Sequence, residues 1–146
     1  MKTFKKYNLP GSELSSREKA TSEIEEIIEE ARNGRMFILA DDEDRENEGD
    51  FVCAAEAMTP ELVNFMTRVG GGYLCVALDG DTCDRLDLVP QSTTNTSLRG
   101  TPFTGTVDGH PRHGVGTGIS ASDRAISIRL LADPAVRPDD FVRPGH

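Results

Sequence analysis

The sequence has little positive charge and no long hydrophobic run. Its 146 residues include 16 Lys and Arg against 25 Asp and Glu, which gives a formal net charge of −9. Because phosphate backbones select basic surfaces, this balance argues against nucleic acid as a partner. No apolar run approaches the length that spans a membrane, and the polar start has no apolar segment behind it to act as a signal peptide. We therefore expect a soluble, cytoplasmic protein with no membrane partner.

Cysteine is also scarce. Cys53, Cys75 and Cys83 are odd in number and show no C-x-x-C spacing, and two of them lie in apolar runs that resemble strands. This usage argues against both a disulfide framework and a zinc site. It predicts buried free thiols in a reducing compartment.

What the sequence has in abundance is acid, most of all between residues 41 and 50, which read DDEDRENEGD. The flanking apolar runs, residues 37–40 and 51–54, predict short buried strands. The acids are then held at a strand end, where their mutual repulsion needs a compensating cation or a proton. The pattern indicates a metal site or an acid-base site.

Other interpretations of this acidic run remain. A solvated turn between two strands tolerates Asp, Asn and Gly equally well. A calcium loop of the EF-hand type fails because Asn47 stands where that loop needs glycine, and because no helix leads into it. Hard divalent cations are still the natural partners of clustered carboxylates. Arg45 supplies a positively charged guanidinium group, whose paired N–H donors suit a carboxylate or an anionic ligand.

Hydrophobic periodicity, together with helix-capping and turn-forming residues, predicts a chain of alternating helices and strands. A capping box at residues 15–18 opens a helix that Gly34 closes, and Thr59 followed by Pro60 opens another. A glycine triplet at residues 70–72 favours a turn over a phosphate cradle, because a strand and not a helix follows it. The further predicted elements are strands at 36–40, from 51, at 73–78 and at 101–107, and helices at 60–69, 81–86 and from Ser120 to about Ala132.

Two loops late in the chain invite a functional interpretation. His110 and His113 have the spacing of metal ligands on a helix, but Pro111 and the flanking glycines exclude a helix there, so we interpret them as loop residues. The glycine- and hydroxyl-rich stretch 116–124 leads into a helix start formed by Ser120 and Asp123. Backbone N–H groups at such a start favour an anion.

Five stretches in order resemble one family. They are the acidic run 41–50, the strand ending in Leu74-Cys75, the segment from Asn95-Thr96-Ser97 to Gly100-Thr101-Pro102-Phe103-Thr104, residues 117–124 (TGISASDR), and the closing Arg143-Pro144-Gly145-His146. Together they resemble 3,4-dihydroxy-2-butanone 4-phosphate synthase of riboflavin biosynthesis, from about Ser15 to the last residue. Five segments in register are far more specific than any single motif.

The resemblance implies a lyase that uses Mg²⁺, or Mn²⁺ in its place, to convert D-ribulose 5-phosphate into L-3,4-dihydroxybutan-2-one 4-phosphate and formate. It implies a small sugar phosphate as partner and a homodimer with active sites between subunits. It also implies an α+β fold, a mixed sheet with flanking helices. We expect residues 1–14 to be a mobile arm and residues 15–146 to be the family's domain without its C-terminal part.

The resemblance also assigns site residues. Glu46 resembles the carboxylate that binds magnesium and also contacts substrate. Arg45, Asp50, Cys75 and Thr117 resemble the other substrate-binding positions, with Thr117 at the sugar phosphate and Cys75 lining the pocket. The catalytic positions implied are Glu48, in the same acidic loop, and His146, which the family brings from the partner subunit.

The chain departs from the family at its end. The family continues past the Arg-Pro-Gly-His segment, through a second metal-binding histidine and a catalytic glutamate that these 146 residues do not contain. The expected explanations are a fragment, an impaired copy, or a variant completed by another chain. Two alternatives to the lyase follow: a non-catalytic protein that binds metal or a phosphorylated sugar, and a related lyase or isomerase acting on another keto sugar phosphate.

Overall fold

The computed structural model describes residues 4–5, 21–42 and 44–146. The chain divides into two compact units, Met1–Ala57 and Met58–His146. The predicted capping box at residues 15–18 lies outside the described residues. So does the predicted mobile arm, residues 1–14, apart from Phe4–Lys5, which forms a short strand.

The first unit contains an antiparallel sheet. Its strands are β1 (Phe4–Lys5), β2 (Thr21–Ser22), β3 (Phe37–Ala40) and β4 (Gly49–Val52), in the spatial order β2-β1-β3-β4. β3 and β4 form a hairpin in which Ala40 lies opposite Gly49 and Leu39 lies opposite Asp50. The two strands predicted around the acidic run are therefore confirmed, although the second begins at Gly49 rather than at Phe51. Most of their residues are half-buried or exposed, not buried as predicted. The hairpin carries the acidic residues on its connecting loop.

Helix α1 (Ile24–Arg32) of the first unit begins later than the sequence predicts. Thr21–Ser22 belongs to a strand, and the residue before the helix, Glu23, makes no capping hydrogen bond through its side chain. The predicted end at Gly34 is confirmed, since its φ is +67° and a Cβ there would lie 2.8 Å from the Ala57 Cβ. Glycine is needed at this position both for backbone conformation and for space.

The second unit packs three α-helices and a small two-stranded sheet. The elements are α2 (Pro60–Phe65), α3 (Gly80–Arg85), β5 (Asp108–Gly109), α4 (Ala121–Ala132) and β6 (Phe141–Val142). β5 pairs antiparallel with β6, and α4 lies against α2 and β5. The buried cluster at the centre of this unit consists of Leu86, Leu88, Leu131, Val136 and Phe141.

The helix starts of the second unit follow from their caps. The Thr59 hydroxyl accepts a hydrogen bond from the Leu62 N–H at 3.2 Å, and the Ser120 hydroxyl accepts one from the Asp123 N–H at 3.0 Å. The Asp79 carboxylate does the same for Thr82 at 2.7 Å. Each bond satisfies an N–H group that has no partner inside its helix. The predicted helices at these three places are confirmed.

Two predicted strands are wrong. Residues 73–78 pair with no strand among the described residues, and their exposure alternates: Leu74, Val76 and Leu78 are half-buried, whereas Tyr73 is 93% exposed. Residues 101–107 contribute only an isolated bridge, from Thr104 to Pro90. An apolar run measures hydrophobicity, but a strand also needs a ladder partner, and that partner is set by the rest of the fold.

The cysteines also differ in part from the prediction. All three lie in the described part of the chain, and none forms a disulfide. Cys53 and Cys83 are half-buried, and burial raises the pKa of the Cys53 thiol. Cys75, predicted to be buried, is exposed because it lies on the outward side of the extended segment 73–78.

The α+β class is confirmed. The strand pairings that the structure describes are all antiparallel, so the described strands form antiparallel sheets and not the mixed sheet that was expected. In the described part of the chain, no helix combines the length and the apolar character that crossing a membrane requires.

Candidate functional site

The first cluster of predicted site residues lies on the loop of the β3–β4 hairpin. Its ends are closed by a hydrogen bond of 2.9 Å from the Asp41 N–H to the Glu48 carbonyl. The Asp42 carbonyl accepts from the N–H groups of Arg45 and Asn47, at 3.0 and 3.2 Å. Asn47 has a φ of +53°, a conformation that asparagine tolerates better than most residues. The acidic run is thus a closed turn.

Asp41 organises this loop. Its Oδ2 accepts hydrogen bonds from the Arg45 side chain at 2.7 Å and from the Glu46 backbone N–H at 2.9 Å. Partial desolvation acts to raise the pKa of Asp41, but the bonds from backbone N–H groups and from Arg45 outweigh it, so the pKa is lowered. Asp41 was not among the predicted site residues. Its position at the start of the acidic run was the one sequence feature that could have pointed to it.

The predicted site residues of the hairpin point toward solvent. The Nη1 atom of Arg45 lies 3.0 Å from Glu46 Oε2, and the two side chains are 52% and 38% exposed, respectively. Glu48 and Asp50 are also exposed, and Asp50 belongs to β4 rather than to the loop. One hairpin therefore presents Arg45, Glu46, Glu48 and Asp50 together.

The donor set of this hairpin fits a hard divalent cation held by few protein ligands. Over residues 21–42 and 44–146, no three His, Cys, Asp or Glu side chains are grouped to hold a metal. Magnesium keeps several waters and commonly takes only one or two carboxylates. Glu46, with its carboxylate at the exposed turn, suits that mode.

The second cluster lies in the second unit and centres on His146. Its ring Nδ1 is 2.8 Å from Asp108 Oδ2, and its backbone N–H donates to Asp108 Oδ1 at 3.0 Å. Asp108 is 5% exposed, whereas 45% of the His146 side chain is exposed. The imidazole is therefore held from one side by a buried carboxylate. The sequence gives no signal for Asp108, because it lies 38 residues from its partner.

The segment that carries His146 is itself held firmly. Gly145 donates to the Thr106 carbonyl at 3.0 Å, and the Thr106 hydroxyl donates to the Gly145 carbonyl at 2.8 Å. Arg143 donates to the carbonyls of Leu86 and Pro138, at 2.6 and 3.0 Å. The Arg143–Pro144 peptide bond is cis. The hydrogen bonds of Arg143 and Gly145 fix the backbone from which the imidazole projects.

Thr117 lies between Gly116 and Gly118, on a turn shaped by Asp123. The Asp123 carboxylate accepts from the N–H groups of Gly116 and Gly118, at 3.0 and 3.1 Å. These bonds, first the one from Gly116, lower the pKa of Asp123 against the effect of its desolvation. The N–H groups on either side of Thr117 thus face Asp123, while Thr117 itself is exposed.

The two remaining histidines lie at one short 3₁₀ turn and not in an irregular loop as predicted: His110 precedes the turn and His113 ends it, and no α-helix forms there. His113 lies on the short 3₁₀ turn Pro111–His113, with its Nε2 2.7 Å from Asp140 Oδ1. Arg112 donates to the same Oδ1 at 2.8 Å. The pKa of Asp140 is lowered, most of all by the hydrogen bond from the Arg137 backbone N–H and then by those from the side chains of Arg112 and His113. This arrangement joins two surface turns.

The predicted site residues thus form two groups. The hairpin of the first unit holds Arg45, Glu46, Glu48 and Asp50. In the second unit, Asp108 contacts His146 and packs against Gly118, the residue that follows Thr117. Cys75 is exposed on the extended segment of the second unit. Their roles in binding and catalysis stay predictions.

Comparison with known proteins gives a consistent result. The family model described as 3,4-dihydroxy-2-butanone 4-phosphate synthase matches residues 25–146. The chain is 53% identical over 123 residues to the riboflavin biosynthesis protein RibBA of Aquifex aeolicus, an alignment that covers 84% of this chain and 30% of that protein. The chain thus spans about a third of the length of this curated relative.

Solved structures agree with the family model. A 3,4-dihydroxy-2-butanone 4-phosphate synthase in complex with two magnesium ions superposes with a TM-score of 0.82 at 42% identity, over 86% of this chain and 57% of that one. The synthase of Candida albicans gives a TM-score of 0.74 at 46% identity, over 86% and 60%. The chain belongs to the 3,4-dihydroxy-2-butanone 4-phosphate synthase family.

Proposed function

We propose that this chain acts as a magnesium-dependent lyase of riboflavin biosynthesis, which converts D-ribulose 5-phosphate into L-3,4-dihydroxybutan-2-one 4-phosphate and formate. The observation that carries the proposal is the hairpin: a closed turn, in the matched family region, that presents three carboxylates and an arginine together. The conversion needs no oxidant or reductant. It needs groups that take up and return protons around an anionic substrate.

The hairpin residues suit the binding half of this task. Glu46 is the proposed magnesium ligand, and Arg45 and Asp50 are the proposed contacts to the substrate. Mg²⁺, when bound, stabilises negative charge on substrate oxygens as a Lewis acid. The same hard oxygen donors accept Mn²⁺. Glu48, exposed on the same loop, is the proposed carboxylate that exchanges protons with the substrate.

The second unit supplies the remaining proposed contacts. His146 exchanges protons through its imidazole, because one ring nitrogen can accept a proton while the other donates one. The exposed hydroxyl of Thr117 contacts the phosphate of the substrate, and Cys75 lines the pocket. We further propose a cytoplasmic homodimer, in which His146 of one subunit serves the acidic hairpin of its partner.

Proton NMR of the purified chain with ribulose 5-phosphate tests the proposal directly, because formate gives an isolated signal. We expect formate with Mg²⁺, none after EDTA, and recovery when Mg²⁺ or Mn²⁺ is restored. Glucose 6-phosphate serves as the control substrate. It should yield no formate.

A folded chain that binds Mg²⁺ but releases no formate would overturn the lyase proposal. That result would favour a protein that binds a metal or a sugar phosphate without turnover. Consumption of ribulose 5-phosphate to a product other than formate would also overturn it, in favour of a related lyase or isomerase.

A further inference from the structure

The carboxylate of Asp108 makes two hydrogen-bonding contacts with one residue. Oδ1 accepts from the backbone N–H of His146 at 3.0 Å, and Oδ2 lies 2.8 Å from its ring Nδ1. Asp108 is 5% exposed, so this pair is shielded from water on the side of the carboxylate. Both oxygens are therefore committed to the orientation of one histidine.

This contact selects a tautomer. An ionised carboxylate can only accept hydrogen bonds, so the Nδ1 atom of His146 must carry a proton to make the contact at 2.8 Å. In a neutral imidazole with Nδ1 protonated, Nε2 keeps its lone pair. The half-exposed ring then offers Nε2 as the proton acceptor.

The surrounding backbone prevents the carboxylate from turning away. Gly118 packs directly against Asp108, so closely that a Cβ at position 118 would overlap the carboxylate. A Cβ at Gly145 would likewise overlap the backbone of Val107 and Asp108. Two glycines thus allow the backbone to close around the carboxylate and the chain that carries the imidazole.

We propose that Asp108 is a positioning residue: it holds His146 in the tautomer with Nδ1 protonated and thereby makes Nε2 the atom that accepts a proton from the substrate. The proposal rests on the function proposed above, since it names how the acid-base histidine of that site is prepared. Asp108 itself touches no substrate. It acts through the ring.

Asp108→Asn distinguishes selection of the His146 tautomer from merely holding the imidazole ring in place. The backbone N–H of His146 keeps the amide oxygen of Asn on the Oδ1 side, which places the amide NH₂ opposite Nδ1. An NH₂ group donates, so Nδ1 must give up its proton and Nε2 must take it. The variant keeps the shape of the site and reverses the tautomer. A serine protease triad behaves in this way when its aspartate is replaced by asparagine.

The measurement is a long-range ¹H–¹⁵N spectrum of the histidine rings, recorded at a pH where they are neutral. The ring nitrogen shifts report which nitrogen carries the proton. Wild type should show His146 with Nδ1 protonated, and Asp108→Asn should show it with Nε2 protonated. His110→Gln and His113→Gln variants assign the signals.

The kinetic measurement is formate release from ribulose 5-phosphate. Asp108→Asn should lower kcat roughly 10²–10⁴-fold, as loss of the correct tautomer does elsewhere, with KM changed little. Asp108→Glu, which keeps a carboxylate, should recover part of kcat. Asp84→Asn is the matched control, because Asp84 is an exposed carboxylate of the same unit. It should leave both kcat and the tautomer unchanged.

The outcomes separate this proposal from the proposed function. If His146 has the same tautomer in wild type and in Asp108→Asn, the positioning role is refuted whatever the activity. Equal losses of kcat in the Asn and Glu variants, with both proteins folded, would also refute it. If wild type releases no formate, the proposed function fails, and the tautomer measurement still decides whether Asp108 prepares the ring.

Discussion

The acidic hairpin and the surroundings of His146 are built in opposite ways. The hydrogen bonds within the hairpin loop join residues at most 7 positions apart, such as Asp41 with Glu48, and most of its charged side chains lie in solvent. His146 is held by Asp108, 38 residues away, and that carboxylate is buried. A locally built loop tolerates replacement of its exposed side chains. A site built from distant segments depends on every backbone contact that joins them.

The largest expected effect is the loss of formate release when a hairpin residue, Glu46, is replaced, with the fold unchanged. Glu46→Gln should abolish metal-dependent formate release, because the amide is a far weaker ligand for Mg²⁺ than the carboxylate. The melting temperature should stay close to that of wild type, since the Glu46 side chain is exposed. Formate assays and thermal unfolding monitored by circular dichroism measure the two effects.

Glu23→Gln is the control, because Glu23 is an exposed acid of the same unit outside the hairpin. It should change neither formate release nor melting. Undiminished, metal-dependent activity in Glu46→Gln would remove Glu46 from the list of metal ligands.

A smaller effect is expected where distant segments meet. In Gly145→Ala the added Cβ overlaps the backbone of Val107 and Asp108, which cannot move aside as a side chain would. The chain end should detach from Thr106, and formate release should fall roughly 10²-fold, the scale of a displaced catalytic group. In wild type the N–H of residue 145 donates to Thr106. In the variant this N–H should exchange rapidly with solvent.

Gly80→Ala is the matched control for this substitution. Gly80 has no neighbouring atom within 4 Å of an added Cβ. Its substitution should leave formate release unchanged. If Gly145→Ala behaves like Gly80→Ala, the close packing of the chain end is not what places His146.

The smallest expected effect is a difference in acid sensitivity. The pKa of Asp123 is lowered in the folded protein by its bonds with Gly116 and Gly118, the effect of Gly116 being the largest. Its stabilising contribution is therefore complete above the ordinary aspartate pKa of about 3.9 and is lost as the pH falls through the lowered value. Asp123→Asn should reduce stability at neutral pH and flatten its decline in acid. Urea unfolding between pH 7 and pH 3 measures this slope.

Asp41→Asn provides the comparison from the hairpin. The pKa of Asp41 is lowered too, so the sign of its pH dependence is the same. Its effect on stability should be smaller than that of Asp123→Asn, because the bonds of Asp41 join residues of one exposed loop. An equal or larger effect would mean that the hairpin depends on Asp41 as strongly as the Gly116–Gly118 turn depends on Asp123.

Local features of the fold were predictable from the sequence. The strands on either side of the acidic run and the helix starts at Thr59 and Ser120 follow from apolar patterns and capping residues, which act over a few positions. The start of α1 was not predictable in this way, because Thr21–Ser22 joins a strand through β1. A helical pattern does not predict that two of its residues pair with a strand from another part of the chain.

The sequence by itself determined the hairpin that carries Arg45, Glu46 and Glu48, since its strands, turn and charges are adjacent in the chain. Only the tertiary structure decided that residues 73–78 form no ladder within the described residues, that Cys75 is exposed, and that Asp108 lies against His146. The reason is physical. Hydrophobic period and capping are set by neighbours in the chain, whereas a ladder partner or a buried carboxylate for a histidine comes from a distant segment that only the folded backbone brings close.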